Sequence, residues 1–207
     1  MNNERKIEII NATVALAAKH GLKNVSLTMV ANAVGIKKPS LYNHFKSKEE
    51  IVTSAYEYLR GNAKKAADIF GSDAHVSEEA LKTAPAVQIL KKAVFNYVKM
   101  CNDANMLAFY KILYVGRTED KISAKILTEE TEKMINATEL LFTAMQKVGG
   151  VKFNCVKKSA LSFALTIHGI IDYSFDKSLA DGIDFNPFNE LSEYVEWFCG
   201  ENRGAKK

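Results

Sequence analysis

The sequence predicts an all-α fold of about nine helices, in which a small N-terminal head, residues 1–47, is joined by a long helix to a larger helical domain, residues 48–207. Three observations carry this expectation. Only three prolines and 11 glycines punctuate 207 residues; no stretch alternates apolar and polar residues long enough to make a strand; and apolar residues recur three and four apart from end to end. At 47% hydrophobic and 25% charged, the chain can bury a substantial core, which excludes disordered and fibrous classes.

The elements follow in order. Ile7, Ile10, Val14 and Ala17 or Ala18 mark the first helix, which closes at His20-Gly21 where glycine can take a left-handed position. Ser26 is a suitable N-cap for a short second helix with Leu27, Val30, Ala31 and Val34 along one side. Gly35 follows at once, and a third helix begins at Lys37 or Lys38, because Pro39 fits only a helix's first turn. Its apolar side is Leu41 and Phe45. Ser47 to Glu50, "SKEE", reads as a capping box opening a fourth helix with Ile51, Ala55, Tyr58 or Leu59, Asn62, Ala66 and Ile69 on one side. Its length is about 22 residues, or roughly 33 Å.

Residues 71–84, "GSDAHVSEEALKTA", predict a loop. Beyond them the pattern predicts helices from Pro85 to about Asn102, Met106 to Val115, Glu119 to Val148 with Gly149-Gly150 as its stop, Asn154 to Lys177, and Pro187 to Phe198, followed by a polar tail. The helix around "ALSFALTIHGIIDYSF" is apolar nearly all round, as expected of one covered on more than one side.

No apolar run approaches the roughly 18 residues of a membrane-spanning helix, and "MNNERKIEII" mixes charges where a signal peptide needs a basic end followed by an apolar stretch. The expectation is a cytoplasmic protein without a membrane partner. Cys101, Cys155 and Cys199 are odd in number and far apart, which suits reduced, buried thiols rather than disulfides or a zinc site. The four histidines, His20, His44, His75 and His168, have no metal-ligand spacing, and neither a phosphate-binding glycine loop nor a nucleophile elbow is present. No metal, cofactor or catalytic residue is therefore expected, and an all-helical enzyme or carrier is disfavoured.

Charge is unevenly placed. The net charge is +4, and residues 1–60 hold nine basic side chains against five acids, so the whole surplus lies there. From Leu22 to Lys48 there are five lysines and no acid. Two short helices joined by a glycine turn describe a helix-turn-helix: with Leu41 and Phe45 inward, Lys37, Lys38, Ser40 and Asn43 point outward, and these side chains suit base edges and phosphates. Ala31, four residues before Gly35, stands where crossing helices leave room for a methyl group only.

The run "GLKNVSLTMVANAVGIKKPSLYNHFKSKEEIV" resembles the N-terminal signature of the TetR family of bacterial transcriptional regulators, in the glycine after helix one, the Ser/Thr cap, the Ala-x-x-x-Gly turn, the "LYNHF" core and "SKEEI". The resemblance covers about the first 55 residues; beyond them it is architectural, although "TIHGIID", Thr166 to Asp172, is similar to a His-Gly helix of one subgroup. It implies phosphate contacts for Ser26, Thr28, Tyr42, His44 and Lys48, and base reading by Lys37, Lys38, Ser40 and Asn43, with Pro39 against a thymine methyl. One departure is Lys37, where the family usually has Ser or Thr. The third helix then lacks a side-chain cap, a loss of about 1 kcal/mol.

The resemblance further implies a homodimer on a palindromic site of double-stranded DNA, most simply a ligand-responsive repressor. The last two helices are the expected dimer surface, with Phe163, Ile167, His168, Ile171, Leu191, Val195 and Phe198. A small hydrophobic or aromatic effector is expected against Phe95, Tyr97, Met100, Phe109, Tyr110, Tyr114, Met134 and Phe142. The alternative keeps the DNA-binding head but makes the larger domain a protein-interaction surface without a small effector.

Overall fold

A computed structural model describes residues 2–66 and 76–204. Among them are ten α-helices and one 3-10 turn: α1 (Asn2–His20), the turn Leu22–Asn24, α2 (Leu27–Ala33), α3 (Lys38–Leu41), α4 (Lys48–Ala66), α5 (Glu78–Thr83), α6 (Ala86–Cys101), α7 (Ala104–Gly116), α8 (Lys121–Lys147), α9 (Val156–Asp181) and α10 (Phe188–Glu201). No strand longer than a single bridge, Val151 to Arg203, occurs among the described residues.

The added helix is α5, inside the stretch expected to be a loop. Ser77 caps it, its hydroxyl accepting from the amide of Ala80 at 3.1 Å. Residues 71–75, with His75, and Ile69 lie outside the described residues.

The chain divides into two compact units. One comprises Met1–Ala66 and Met100–Glu129, the other Ala67–Lys99 and Glu130–Lys207. In the first, α1 packs on α2, α4 and α7, and α7 also meets α4 and the 3-10 turn. The buried side of α1 is Ile9, Ile10, Thr13 and Ala17, rotated from the expected stripe: Ile7 and Val14 are only half-buried. Thr13 is tolerated there because its hydroxyl donates to the carbonyl of Ile9 at 2.8 Å. On α4 the buried positions include Ile51, Val52, Ala55, Tyr56, Leu59 and Ala63, while Asn62 and Ala66 are exposed.

The second unit has an aromatic core. Phe142 stacks on Phe153 at 4.5 Å between ring centroids and meets Phe163 at 5.3 Å and Phe198 at 5.5 Å. Leu191, Val195 and Ile167 complete its floor. The end of α8 is the expected glycine stop: Gly149 has φ 79, its amide donates to Gln146 O at 3.1 Å and that of Gly150 to Met145 O at 3.1 Å, the two bonds of a Schellman cap. The start of the polar tail is tied to this corner, since Lys152 N donates to Asn202 O at 3.0 Å. A Cβ on Gly204 would lie 2.3 Å from Gly149 O, so only glycine fits there.

The thiols depart from expectation in burial. All three are free, but Cys155 is exposed and Cys101 and Cys199 are half-buried. Cys155 occupies the N-cap of α9, where its side chain makes no capping hydrogen bond.

Candidate nucleic-acid interface

The first unit builds a basic face on a rigid back. Ser26 caps α2, its hydroxyl oxygen accepting from Met29 N at 3.2 Å, which leaves its proton free to donate outward. After α2 the chain turns through Gly35 at φ 68. Ile36 N donates to Ala31 O at 3.0 Å and Gly35 N to Asn32 O at 3.2 Å, again a Schellman cap, with Ile36 half-buried just after it. Ala31 is 1% exposed, the close crossing its size allows.

α3 is a single turn, four residues from Lys38, and Lys37 at its N-cap makes no side-chain capping bond. Tyr42 to His44 continue as turns rather than helix. The short, uncapped α3 agrees with the loss of a Ser or Thr at position 37. What holds this segment is packing: Leu41 is 0% and Phe45 2% exposed, and the ammonium of Lys6 lies 5.4 Å from the centroid of the Phe45 ring, a cation–π contact.

The opposite side is open. Lys37, Lys38, Pro39, Ser40 and Asn43 are exposed, as are Thr28 and Tyr42. Lys46, also exposed, joins them. His44 is half-buried, with an Nδ1 that has no hydrogen-bond partner among the described residues. The site residues of α2, α3 and the following turn thus share the same small head, and no acid lies between Leu22 and Lys48 to cancel its field.

Lys48 stands apart. Its ammonium turns back to donate to the carbonyl of Leu22 at 3.0 Å and reaches that of Lys23 at 3.5 Å, so it ties α4 to the 3-10 turn. Two further ion pairs brace the same region, Lys23 to Glu119 at 3.5 Å and Lys125 to Glu49 at 2.9 Å. Both are exposed and individually weak. The capping box at α4 is present with a shifted partner: Glu50 N donates to Ser47 Oγ at 3.1 Å, while the Glu50 carboxylate accepts from Lys46 N at 2.6 Å, one residue earlier than the usual partner.

The remaining expected residues are placed as follows. Met100, Phe109, Tyr110 and Tyr114 belong to the first unit, and Phe95, Tyr97, Met134 and Phe142 to the second. Phe142 is wholly enclosed by Phe153, Phe163 and Phe198, which makes it core. Of the expected dimer residues, Phe163, Ile167, Leu191, Val195 and Phe198 are at most 6% exposed within the single chain and so have no surface to offer a partner. His168 and Ile171 are half-buried, and His168 Nδ1 lies 3.7 Å from Asp172. The outward side of α9 and α10 carries Leu161, Leu165, Tyr173 and Trp197 instead, at 43–62% exposure. Periodicity cannot choose between two apolar faces of one helix, which is why the inner one was expected.

Among the described residues no helix is long and apolar enough to cross a membrane, and no group of three His, Cys, Asp or Glu could hold a metal ion.

Comparison with known proteins agrees with the geometry. Residues 9–55 match the model of the tetR family of bacterial regulatory proteins. The HTH-type transcriptional regulator YerO of Bacillus subtilis is 37% identical over 93 residues, covering 44% of this chain and 29% of that protein's own length. The HTH-type transcriptional repressor KstR2 of Rhodococcus jostii is 29% identical over 188 residues, 78% of this chain and 89% of that protein. Among solved structures, the flavonoid-responsive regulator FrrA superposes with a TM-score of 0.72 at 16% identity, over 99% of this chain and all (100%) of that one, a likeness of fold.

Proposed function

We propose that this chain, which belongs to the TetR family of bacterial transcriptional regulators, is a ligand-responsive repressor that binds a near-palindromic operator as a homodimer in the cytoplasm. The carrying observation is the exposed Lys37, Lys38, Ser40 and Asn43 on the far side of buried Leu41 and Phe45. Residues 1–47 are then the reading head and residues 48–207 the part that senses and self-associates. The protein is a regulator rather than an enzyme.

Division of labour follows from chemistry. Asn43 can pair with an adenine edge and Lys37 or Lys38 with guanine, each good pair contributing about 1–3 kcal/mol of discrimination. Ser26, Thr28, Tyr42 and His44 serve phosphates, and Lys48 holds the 3-10 turn beneath them. Footprinting of the pure protein on DNA flanking its own gene is expected to show a protected two-fold site. There Tyr42→Phe weakens all sites alike, whereas Lys38→Ala or Asn43→Ala relaxes preference at particular bases. Identical behaviour of the two classes contradicts the assignment.

One head reads too few base pairs to be specific, so a two-fold dimer is the physical requirement. The outward stripe Leu161, Leu165, Tyr173 and Trp197 supports its placement on α9 and α10. Leu165→Glu buries an unpaired carboxylate twice in such an interface. Sedimentation is expected to show monomer, with operator affinity lower on the order of 100-fold; an unchanged dimer places the interface elsewhere.

An effector reading is supported by the aromatic and Met-rich interior and by relatives whose names mark them as repressor and flavonoid-responsive regulator. A ligand acts by preferring the conformation that does not fit the operator, and only that difference in affinity releases DNA.

A further inference from the structure

The outward side of α9 is one continuous stripe. Lys158, Ser162, Leu165, Gly169, Asp172 and Asp176 follow at spacings of three and four on the side opposite buried Ile167, and all are exposed except Asp172, which is half-buried. Leu161 and Tyr173 flank it with apolar surface, 43% and 62% exposed.

Three features of this stripe have no reason within one chain. Gly169 stands inside a 26-residue helix, where glycine is a poorer helix former than any residue but proline, yet a Cβ there would meet nothing within 4 Å. Its own chain does not require it. The charges are set against the helix dipole, with Lys157 and Lys158 in the first turn, no acid in that turn and no base in the last. Asp172 and Asp176 stand one turn apart, a repulsive pair in a lone helix.

A second α9 running antiparallel accounts for all three. With a two-fold axis beside Ile167, positions equally far before and after it meet across the axis: Leu165 enters the space over the partner's Gly169, Ser162 reaches the partner's Asp172, and Lys158 faces the partner's Asp176. Each contact then occurs twice. A parallel pair sets Lys158 on Lys158 and Asp176 on Asp176, and a slip of three residues sets Leu165 against the carboxylate of Asp172. Only one register matches knob to space and charge to charge.

We propose that two copies of this chain pair through antiparallel α9 helices in that register, with Gly169 as the seat of Leu165 and Lys158 to Asp176 as the ion pair between subunits. This rests on the homodimer reading above and gives it a residue-by-residue match.

The test is sedimentation of the full-length protein at low salt, with far-ultraviolet circular dichroism as the check on folding. Gly169→Leu is expected to keep or raise the helical signal, since the site is open and leucine is the better helix former, and to weaken association on the order of 100-fold. Lys158→Asp and Asp176→Lys are each expected to weaken it about tenfold, and the two together to restore it. Lys158 and Asp176 are 18 residues apart in one helix, about 27 Å along its axis, so no contact inside a single chain can produce that rescue. The register is overturned if Gly169→Leu associates like wild type or loses helical signal, or if the double exchange stays as weak as the single ones. Wild-type protein that is monomeric throughout removes the homodimer reading and the register with it. A wild-type dimer that Leu165→Glu breaks, but that none of these exchanges affects, removes the register alone.

Discussion

Phe45→Ala is expected to abolish operator binding without altering one atom that faces DNA. The ring is 2% exposed, and truncating a buried Phe costs about 3–5 kcal/mol through lost burial and an unfilled cavity. α3 has little else to hold it. It is one turn long with no side-chain cap, so its position is set by Leu41 and Phe45 rather than by its own hydrogen bonds. Urea unfolding should show the loss in stability, and footprinting the loss of protection. Lys6→Ala is the control: it removes the cation–π contact, about 1 kcal/mol, and should leave binding nearly intact. A Phe45→Ala protein that still protects its site would show that the segment is positioned by something other than its apolar back.

Glu130→Gln is expected to stabilise the protein in mild alkali and to do little in acid. Glu130 is 2% exposed, and burial pushes its carboxyl from 4.5 up to about 7, against a smaller downward pull from Lys133. The sign follows from proton binding. Between these two values the folded chain retains a proton that the unfolded chain has released, so stability is highest below the lower value and declines as pH climbs towards and through the higher one. At pH 8 the full cost is reached, on the order of 3 kcal/mol. Glutamine mimics the protonated acid and does not titrate, so the difference between wild type and variant should grow from near zero at pH 4 to that amount at pH 8 in urea titrations. Parallel profiles would mean that the Glu130 carboxyl binds its proton equally well in the folded and unfolded chain.

Much of the head was legible because its signals are local. Ser26, Gly35, Pro39 and the Ser47 to Glu50 box each specify a backbone event within a few residues, and each does so in the structure, with only the partner of Glu50 displaced. Gly149-Gly150 was readable for the same reason. The misses are all questions of partner. Nothing in the composition of α9 tells Phe163 and Ile167, which face the chain's own core, from Leu161 and Leu165, which do not. Nothing near Lys48 announces that its ammonium will find carbonyls 25 and 26 residues back along the chain. α5 was missed although Ser77 and two following acids were visible, because a six-residue helix offers too few turns for an apolar stripe.

The first unit is discontinuous: its early part closes on Met100–Glu129. A growing polypeptide therefore cannot complete the packing around its own beginning until Glu129 has left the ribosome, and the segment proposed to read DNA must wait for a much later stretch to be synthesised. Excising the opening residues to obtain a minimal binding fragment would discard Met100–Glu129, on which they are assembled.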